Sequence, residues 1–479
     1  MNYSIIRYII CRVLEFQALF LLLPCIVAVI YREQAGWSYL AVMLGCFILG
    51  WLGKRKKPVS NVFFAREGFV TVSLSWIVLS ITGALPFWFS REIPFFTDAL
   101  FETISGLTTT GSSILTDVEA LSYCNLFWRS FTHWIGGMGV LVLILAILPL
   151  AGGYNMHLMR AESPGPSVGK LVPRVRHTAR ILYGMYIAMT VALIILLLVA
   201  GMNPFEATTH AFGTAGTGGF GIMNSSIGEY SASIQVIITV FMLLFGINFN
   251  VYYFFLIKKP KDALKHEEMR YYLAIVGIAI ALIAWNIHEM YGSIGETVRH
   301  AAFQVASIIT TTGFATTDFN LWPAFSKTIL VLLMFVGACA GSTGGGIKVS
   351  RIVMMMKLIK NEISHLIHPK RVNKIRFENH VISKEVLRAI QVFMISYLVI
   401  FAVSVLAISL CELDVTTNFT AVAATLNNIG PGLNEVGPTG NFSVFAAPAK
   451  WVLMFDMLAG RLEIFPMLVL FAPATWKRG

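Results

Sequence analysis

Charge is scarce in this chain. Only 13% of its 479 residues are Asp, Glu, Lys or Arg while 56% are hydrophobic, and a soluble domain needs far more polar surface than that. Cysteine is also sparse. Cys11, Cys25, Cys46, Cys124, Cys339 and Cys411 are scattered and none forms CxxC, so neither a disulfide framework nor a metal site is expected. No dinucleotide fingerprint and no soluble domain are present. No motif pairs Ser with Lys or His with Glu inside an apolar stretch, so an enzyme is not expected. Arg7 and Arg12 precede a long apolar run, but no small-residue cleavage site follows, so a retained first helix is expected in place of a signal peptide.

What is present is apolar length. Stretches able to cross a bilayer, about 18–25 residues each, occur near 13–30, 37–53, 69–89, 131–150, 181–202, 234–257, 272–291, 328–360, 389–411 and 450–473. These predict ten crossings of a lipid bilayer, the eighth too long to be unbroken. With the N-terminus inside, 29 of the 36 Lys and Arg fall on one side. Only Arg32, Arg91, Arg129, Arg299, Lys327 and Lys450 fall on the other, and Arg461 lies within a span. The positive-inside rule then places both termini in the cytoplasm. It also accounts for the net charge of +11 without any nucleic-acid partner. Fourteen of the 25 acids map outside, Asp117, Glu119 and Asp318 among them. There they either concentrate cations through their field or merely solvate the loops.

Four times, a half-length apolar segment runs into a Thr/Gly/Asn-rich turn: Thr108–Gly111, Gly216–Gly219, Thr310–Gly313 and Asn427–Gly430. Aligned on the last Gly, the segments match in register. Asp98, Glu206, His300 and Thr417 lie thirteen residues before it, and the small residues Ser105, Gly213, Ser307 and Ala424 lie six before it. The glycines are 108, 94 and 117 residues apart, so each repeat is about a hundred residues long. Irregular backbone at membrane depth is tolerated only where it is buried in protein or lines a water-filled path. Four such turns about one axis would present rings of backbone carbonyls, which is how a cation filter is built. The fold expected is an all-α polytopic membrane protein, a helical hairpin plus four pseudo-fourfold helix–pore-helix–filter–helix repeats around one central pore. The divisions are 1–57 for the hairpin, then 58–150, 151–260, 261–375 and 376–479 for the repeats.

Six motifs occur in order: the TTTGS turn after Ser105-Gly106-Leu107, the Gly218-Gly219-Phe220 turn, TTTGFAT at 310–316, GSTGGGIK at 341–348, NNIGPG at 427–432 and GRLEIFP at 460–466. Together they make the chain resemble the TrkH/TrkG branch of the Trk/Ktr/HKT potassium transporters over essentially its whole length. The resemblance implies potassium uptake in a bacterial inner membrane, by a homodimer with a cytoplasmic nucleotide-binding subunit of the TrkA type. It also implies that the turn glycines favour K⁺ over Na⁺.

The filter expected from the turns comprises Thr109, Thr110, Gly111, Thr217, Gly218, Gly219, Thr311, Thr312, Gly313, Asn428, Ile429 and Gly430, with K⁺ as the transported ion and no other cofactor. At least one residue per turn must take dihedrals that a Cβ resists, hence the glycines. The second helix of the third repeat, which contains the eighth span, would run from about 323 to 360, about 55 Å as a helix, against a hydrocarbon core of about 30 Å. Gly341, Ser342, Thr343, Gly344, Gly345 and Gly346 break it. By resemblance this loop obstructs the path below the filter and moves on activation; Lys348 ends the motif and is expected to reach the inner mouth. The same run nearly imitates a phosphate loop, but its Lys follows Ile347 and no strand precedes it, so nucleotide binding is not expected. Arg461, deep in the last span, marks a functional path or a buried pair. The resemblance implies a pore barrier beneath the filter; the alternative is a salt bridge to Asp456 or Glu463, and spacings of five and two disfavour pairing within one helix. His133-Trp134 and the small residues after it are expected to serve close helix packing. The competing reading is a secondary solute or cation symporter with discontinuous helices. It predicts inverted repeats and two matched broken helices, whereas the sequence indicates parallel repeats and one broken span.

Overall fold

The computed structural model describes residues 1–56, 58, 64–139, 175–370, 374–378 and 380–477. The end of the predicted 131–150 span and most of the loop after it lie outside them. Two long helices, α1 (Tyr3–Tyr31) and α2 (Gly36–Lys54), form the N-terminal hairpin. Then come α3 (Ala65–Phe89), α4 (Phe96–Leu107) and α5 (Tyr123–Gly137). The same order of long, short and second helix recurs in α6 (Val175–Val199), α7 (Pro204–Ala215) and α8 (Ala232–Phe245), the last followed by α9 (Phe249–Leu256). It recurs in α10 (Glu267–Asn286), α11 (Ile294–Ile309) and α12 (Ala324–Val336), followed by α13 (Val349–Ile367). A two-residue hairpin, β1 (Arg376–Phe377) with β2 (His380–Val381), precedes the last set. That set is α14 (Lys384–Ile408), α15 (Val415–Leu426) and α16 (Ala447–Arg461), with α17 (Phe465–Phe471) closing it.

The long first helix of every set, together with α1 and α2, is long and apolar enough to cross a membrane. The short helices are not. They have 12, 12, 16 and 12 residues, about 18–24 Å at 1.5 Å per residue, too short to span a core of about 30 Å. Three start on a side-chain cap that accepts a backbone N–H: Asn203 from Glu206 (2.9 Å), Ser293 from Glu296 (3.2 Å) and Asp414 from Thr417 (3.0 Å), as orphan N-terminal donors require. The first lacks such a cap. Asp98 in its opening turn instead pairs with Lys450 of α16 at 2.7 Å.

The second helices correct the sequence reading. More than one span is broken. The 234–257 span bends by 90° between α8 and α9, and the 450–473 span is interrupted between Arg461 and Phe465, where Glu463 and Ile464 have φ of 58° and 67°. All four second helices stop after 15, 14, 13 and 15 residues. Gly246 sits within an apolar run, and the 450–473 stretch reads as one span because apolar residues resume beyond Arg461 and Glu463.

Candidate ion pathway

Each short helix ends in the same way. The residue after its C-cap is left-handed: Thr109 (φ 56°), Thr217 (53°), Thr311 (57°) and Asn428 (56°). The next N–H reaches back to the small residue six before the glycine: Thr110 to Ser105 O (2.8 Å), Gly218 to Gly213 O (2.9 Å), Thr312 to Ser307 O (2.8 Å) and Ile429 to Ala424 O (2.8 Å). This is the Schellman closure of a helix. A β-branched residue in that conformation is costly and persists only where its surroundings enforce it. Gly111, Gly219, Gly313 and Gly430 then take φ of 81°, 76°, 89° and 105°.

The glycines close a ring. A Cβ on Gly111 would lie 2.0 Å from Gly218 O, one on Gly219 1.9 Å from Thr312 O, one on Gly313 2.2 Å from Ile429 O, and one on Gly430 3.0 Å from Thr110 O. Turn one therefore abuts turn two, two abuts three, three abuts four, and four returns to one. The carbonyl met at each junction belongs to the equivalent residue of the next turn. All four glycines also line one open cavity, with Ser112 and Thr439 at its wall.

On the helix C-cap side of the ring lies the chain from Gly337 to Lys348. A Cβ on Gly344 would be 2.9 Å from Thr310 O, and one on Gly345 2.6 Å from Asn427 O; Gly345 N–H donates to Thr311 Oγ1 at 2.6 Å. The loop is docked on the break in the second set. Cys339 N–H donates to Gly246 O (3.0 Å), Thr343 Oγ1–H to Phe245 O (3.2 Å), and Gly341 O accepts from Phe249 N–H (3.0 Å). Two stretches of irregular backbone thus satisfy one another at membrane depth. Arg461, at the end of α16, donates to Thr343 O (2.9 Å) and to Gly136 O and Gly137 O (2.5 and 2.7 Å) at the end of α5. Glu463 turns away to an ion pair with Arg351, and Asp456 accepts from Ser404 at 2.7 Å. Lys348 is buried and donates to Gly344 O within its own loop, so it folds back and does not extend to the mouth.

The family model described as "TrkH: Cation transport protein" matches residues 41–478. The Trk system potassium uptake protein TrkH of Escherichia coli strain K12 is 40% identical over 467 residues, covering 95% of this chain and 96% of that protein. The protein TrkG of the same strain is 33% identical with full coverage of both. The crystal structure of the potassium transporter TrkH from Vibrio parahaemolyticus aligns with a TM-score of 0.89 at 35% identity, covering 100% of each chain. The chain belongs to the TrkH family of cation transport proteins. Its relatives are named as transporters, in line with the expectation that it is not an enzyme, and it is a helical membrane protein as they are.

Two braces within this TrkH-family ring escaped the sequence reading. Arg129 was counted among external bases, yet it is buried in α5 and pairs with the buried Glu102 of α4 at 2.5 Å. Glu102 also accepts from Ser113 Oγ and Ile114 N–H, and Arg129 donates to Gly221 O and stacks over Phe220 at 3.7 Å. The pair thus joins the exits of turns one and two. The available signal was two opposite charges set in otherwise apolar surroundings. His133 is more than a packing residue. Its Nδ1 lies 2.8 Å from Gly106 O, and its Nε2 accepts from Phe220 N–H at 3.2 Å, so its partners require the neutral Nδ1–H tautomer. A Cβ on Gly218 would fall 2.1 Å from that Nδ1. Turns one and three carry Thr there, with Thr110 and Thr312 hydroxyls bonded to Thr108 and Thr310; turn two carries Gly because the imidazole occupies the space.

Proposed function

We propose that this chain is the pore-forming subunit of a potassium-uptake system, in which a dehydrated K⁺ passes through the ring of turn carbonyls. The observation that carries this reading is the cyclic contact of four glycines with four equivalent carbonyls. Backbone oxygens replace water around the ion, and the C-terminal ends of four short helices direct partial negative charge toward it. Thr109, Thr110, Gly111, Thr217, Gly218, Gly219, Thr311, Thr312, Gly313, Asn428, Ile429 and Gly430 form the filter. Gly341 to Gly346 and Arg461 form the gate: the loop lies against turns three and four, and the guanidinium ties it to the end of α5. The repeats divide at 58, 151, 261 and 376 after a 1–57 hairpin. The chain lies in a bacterial inner membrane with both termini cytoplasmic, assembles as a homodimer, and answers to a nucleotide-binding subunit of the TrkA type, as the resemblance and the relatives' Trk-system names suggest. The symporter reading gains nothing from the additional breaks, since they follow each turn in the same order and not in inverted halves.

The test is rubidium and sodium uptake in potassium-starved cells lacking other uptake systems. Gly313→Ser should lose the preference for rubidium, because its Cβ would meet Ile429 O. Arg461→Ala should raise the flux. Unchanged selectivity in the first and unchanged rate in the second would overturn both assignments.

A further inference from the structure

Glu268, in the first turn of α10, is buried, and one of its carboxylate oxygens accepts from two backbone N–H groups: Ala340 at 2.7 Å and Ser350 at 3.0 Å. Those donors stand on either side of the glycine run. Ser350 is the second residue of α13, where an N–H has no partner within the helix, and the N-cap residue Lys348 supplies no side-chain cap. Glu268 is therefore a cap borrowed from another helix, with its negative charge at the positive end of α13. Between the donors the backbone is forced. Lys348 takes φ 84° and ψ 134°, a region that non-glycine residues occupy only when the surroundings impose it.

We propose that Glu268 is a positioning residue that clasps both ends of the glycine loop and so holds the pathway shut, with the Arg376–Val381 hairpin as the support of that clasp. This rests on the gate reading above. Charge-assisted hydrogen bonds are roughly twice as strong as neutral ones, and leaving a buried carboxylate without donors is costly. Both bonds anchor the ends of the loop and so oppose its leaving the turns. The hairpin sets where the clasp stands. Glu378 accepts from the N–H groups of Glu267 (3.1 Å) and Glu268 (3.0 Å), capping α10 from outside it. Lys357 of α13 pairs with Glu267 and donates to Arg376 O at 2.8 Å. The start of α10, the start of α13 and the hairpin therefore form one cross-linked unit.

The test is rubidium flux into vesicles containing the purified full chain and no other protein, with the rubidium-to-sodium ratio measured alongside. Glu268→Ala should raise the flux by about tenfold, the scale of one or two lost hydrogen bonds, without changing the ion ratio. Glu268→Asp keeps the charge but shortens the reach by one methylene, and should also raise it. Glu268→Gln retains an accepting oxygen and should return the flux most of the way toward wild type. Glu378→Ala should give a smaller rise. Arg461→Ala is the control for the gate itself. If it raises flux while Glu268→Ala and Glu268→Asp do not, the clasp is overturned and the gate stands. If none raises flux, the gate reading falls and takes the clasp with it. An altered ion ratio in Glu268→Ala would place the residue's effect in the filter and overturn the inference. Should Glu268→Ala fail to fold, the contrast between Glu268→Asp and Glu268→Gln decides alone.

Discussion

At the ring the four sets are built alike; on the C-cap side of it they are not. Each turn is left by the same backward hydrogen bond, the same left-handed residue and the same positive-φ glycine. The second helices all stop short, yet the ends of α5, α8 and α16 are satisfied differently. The carbonyls ending α5 take Arg461, those ending α8 take the glycine loop, and the chain after α16 tightens on itself through Ile464 N–H to Ala459 O at 2.6 Å. Coordinating a spherical ion favours equivalent oxygens. A two-state element needs bonds that can be exchanged, and those cannot be the same bonds that hold the ring. Likeness marks the region proposed to select, and divergence the region proposed to move.

The most damaging way to break the likeness is to put a methyl on one glycine at a time. Gly219→Ala, Gly111→Ala and Gly313→Ala bring a Cβ to 1.9, 2.0 and 2.2 Å from a neighbouring carbonyl, whereas Gly430→Ala has 3.0 Å. All four also carry the left-handed penalty of about 1–2 kcal/mol. The expected order of lost rubidium preference over sodium is the first three together, by tenfold or more, about 1.4 kcal/mol, and Gly430→Ala least. Equal losses at all four would mean that φ strain and not the contact matters. The likeness can also be sharpened. Gly218→Thr alone should be severe because His133 fills the site. The double change His133→Ala with Gly218→Thr gives turn two the residue of turns one and three, and should recover part of the uptake lost in the single variant. A double-mutant cycle with no coupling would separate the imidazole from the turn.

The likeness was legible in the sequence and the divergence was not, for physical reasons. A glycine at a forced φ and a small residue at a backward hydrogen bond must recur wherever the backbone geometry recurs, so register alone exposed Ser105, Gly213, Ser307 and Ala424 with their glycines. The left-handed Thr109, Thr217 and Thr311 were not anticipated as such, because β-branched residues avoid that region unless forced. The break at Gly246–Asn248 was invisible because its cause is remote: carbonyls freed there are paid for by donors near residue 340. The triple glycine at 344–346 gave away its own break but not what it docks against. Arg461 was recognised as costly, while its three carbonyl partners lie on α5 and in the glycine loop, and no spacing within the last span could show them.

The next expected effect is on stability. Glu102 and Arg129 join the exits of turns one and two and are almost fully withdrawn from solvent, with side chains 0% and 4% exposed. Removing one partner strands the other, which for a buried pair costs about 3–5 kcal/mol. Glu102→Ala should lower the temperature at which detergent-solubilised protein loses monodispersity far more than Asp98→Ala, whose pair with Lys450 is partly exposed. Equal shifts would mean that the ring's exits are not held by this pair and that the likeness at the turns rests on the backbone alone.

The smallest effect is acid sensitivity at two caps, one on each side of the comparison. Burial alone would raise the Glu378 carboxyl, but His266 and the N–H groups of Glu268 and Glu267 outweigh it and hold the group below its ordinary value. Asp414, capping the short helix α15, is held low chiefly by its hydrogen bond from Thr417. A carboxyl lowered on folding contributes stability that is present above its unfolded pKa, about 4, and is lost as pH falls through the folded value. Between pH 7 and 5 neither cap should weaken. Below about pH 4, hydrogen-exchange protection should fall at the Glu267 and Glu268 amides and at the Thr417 amide. Glu378→Gln should remove the acid dependence only at the first two, and Asp414→Asn only at the third, because the carboxylates cap different helices. If Glu378→Gln also lowered protection of the Ala340 and Ser350 amides at pH 7, the hairpin's hold would extend through Glu268 to the loop. If only the Glu267 and Glu268 amides responded, the cap and the clasp would be separate devices on one helix.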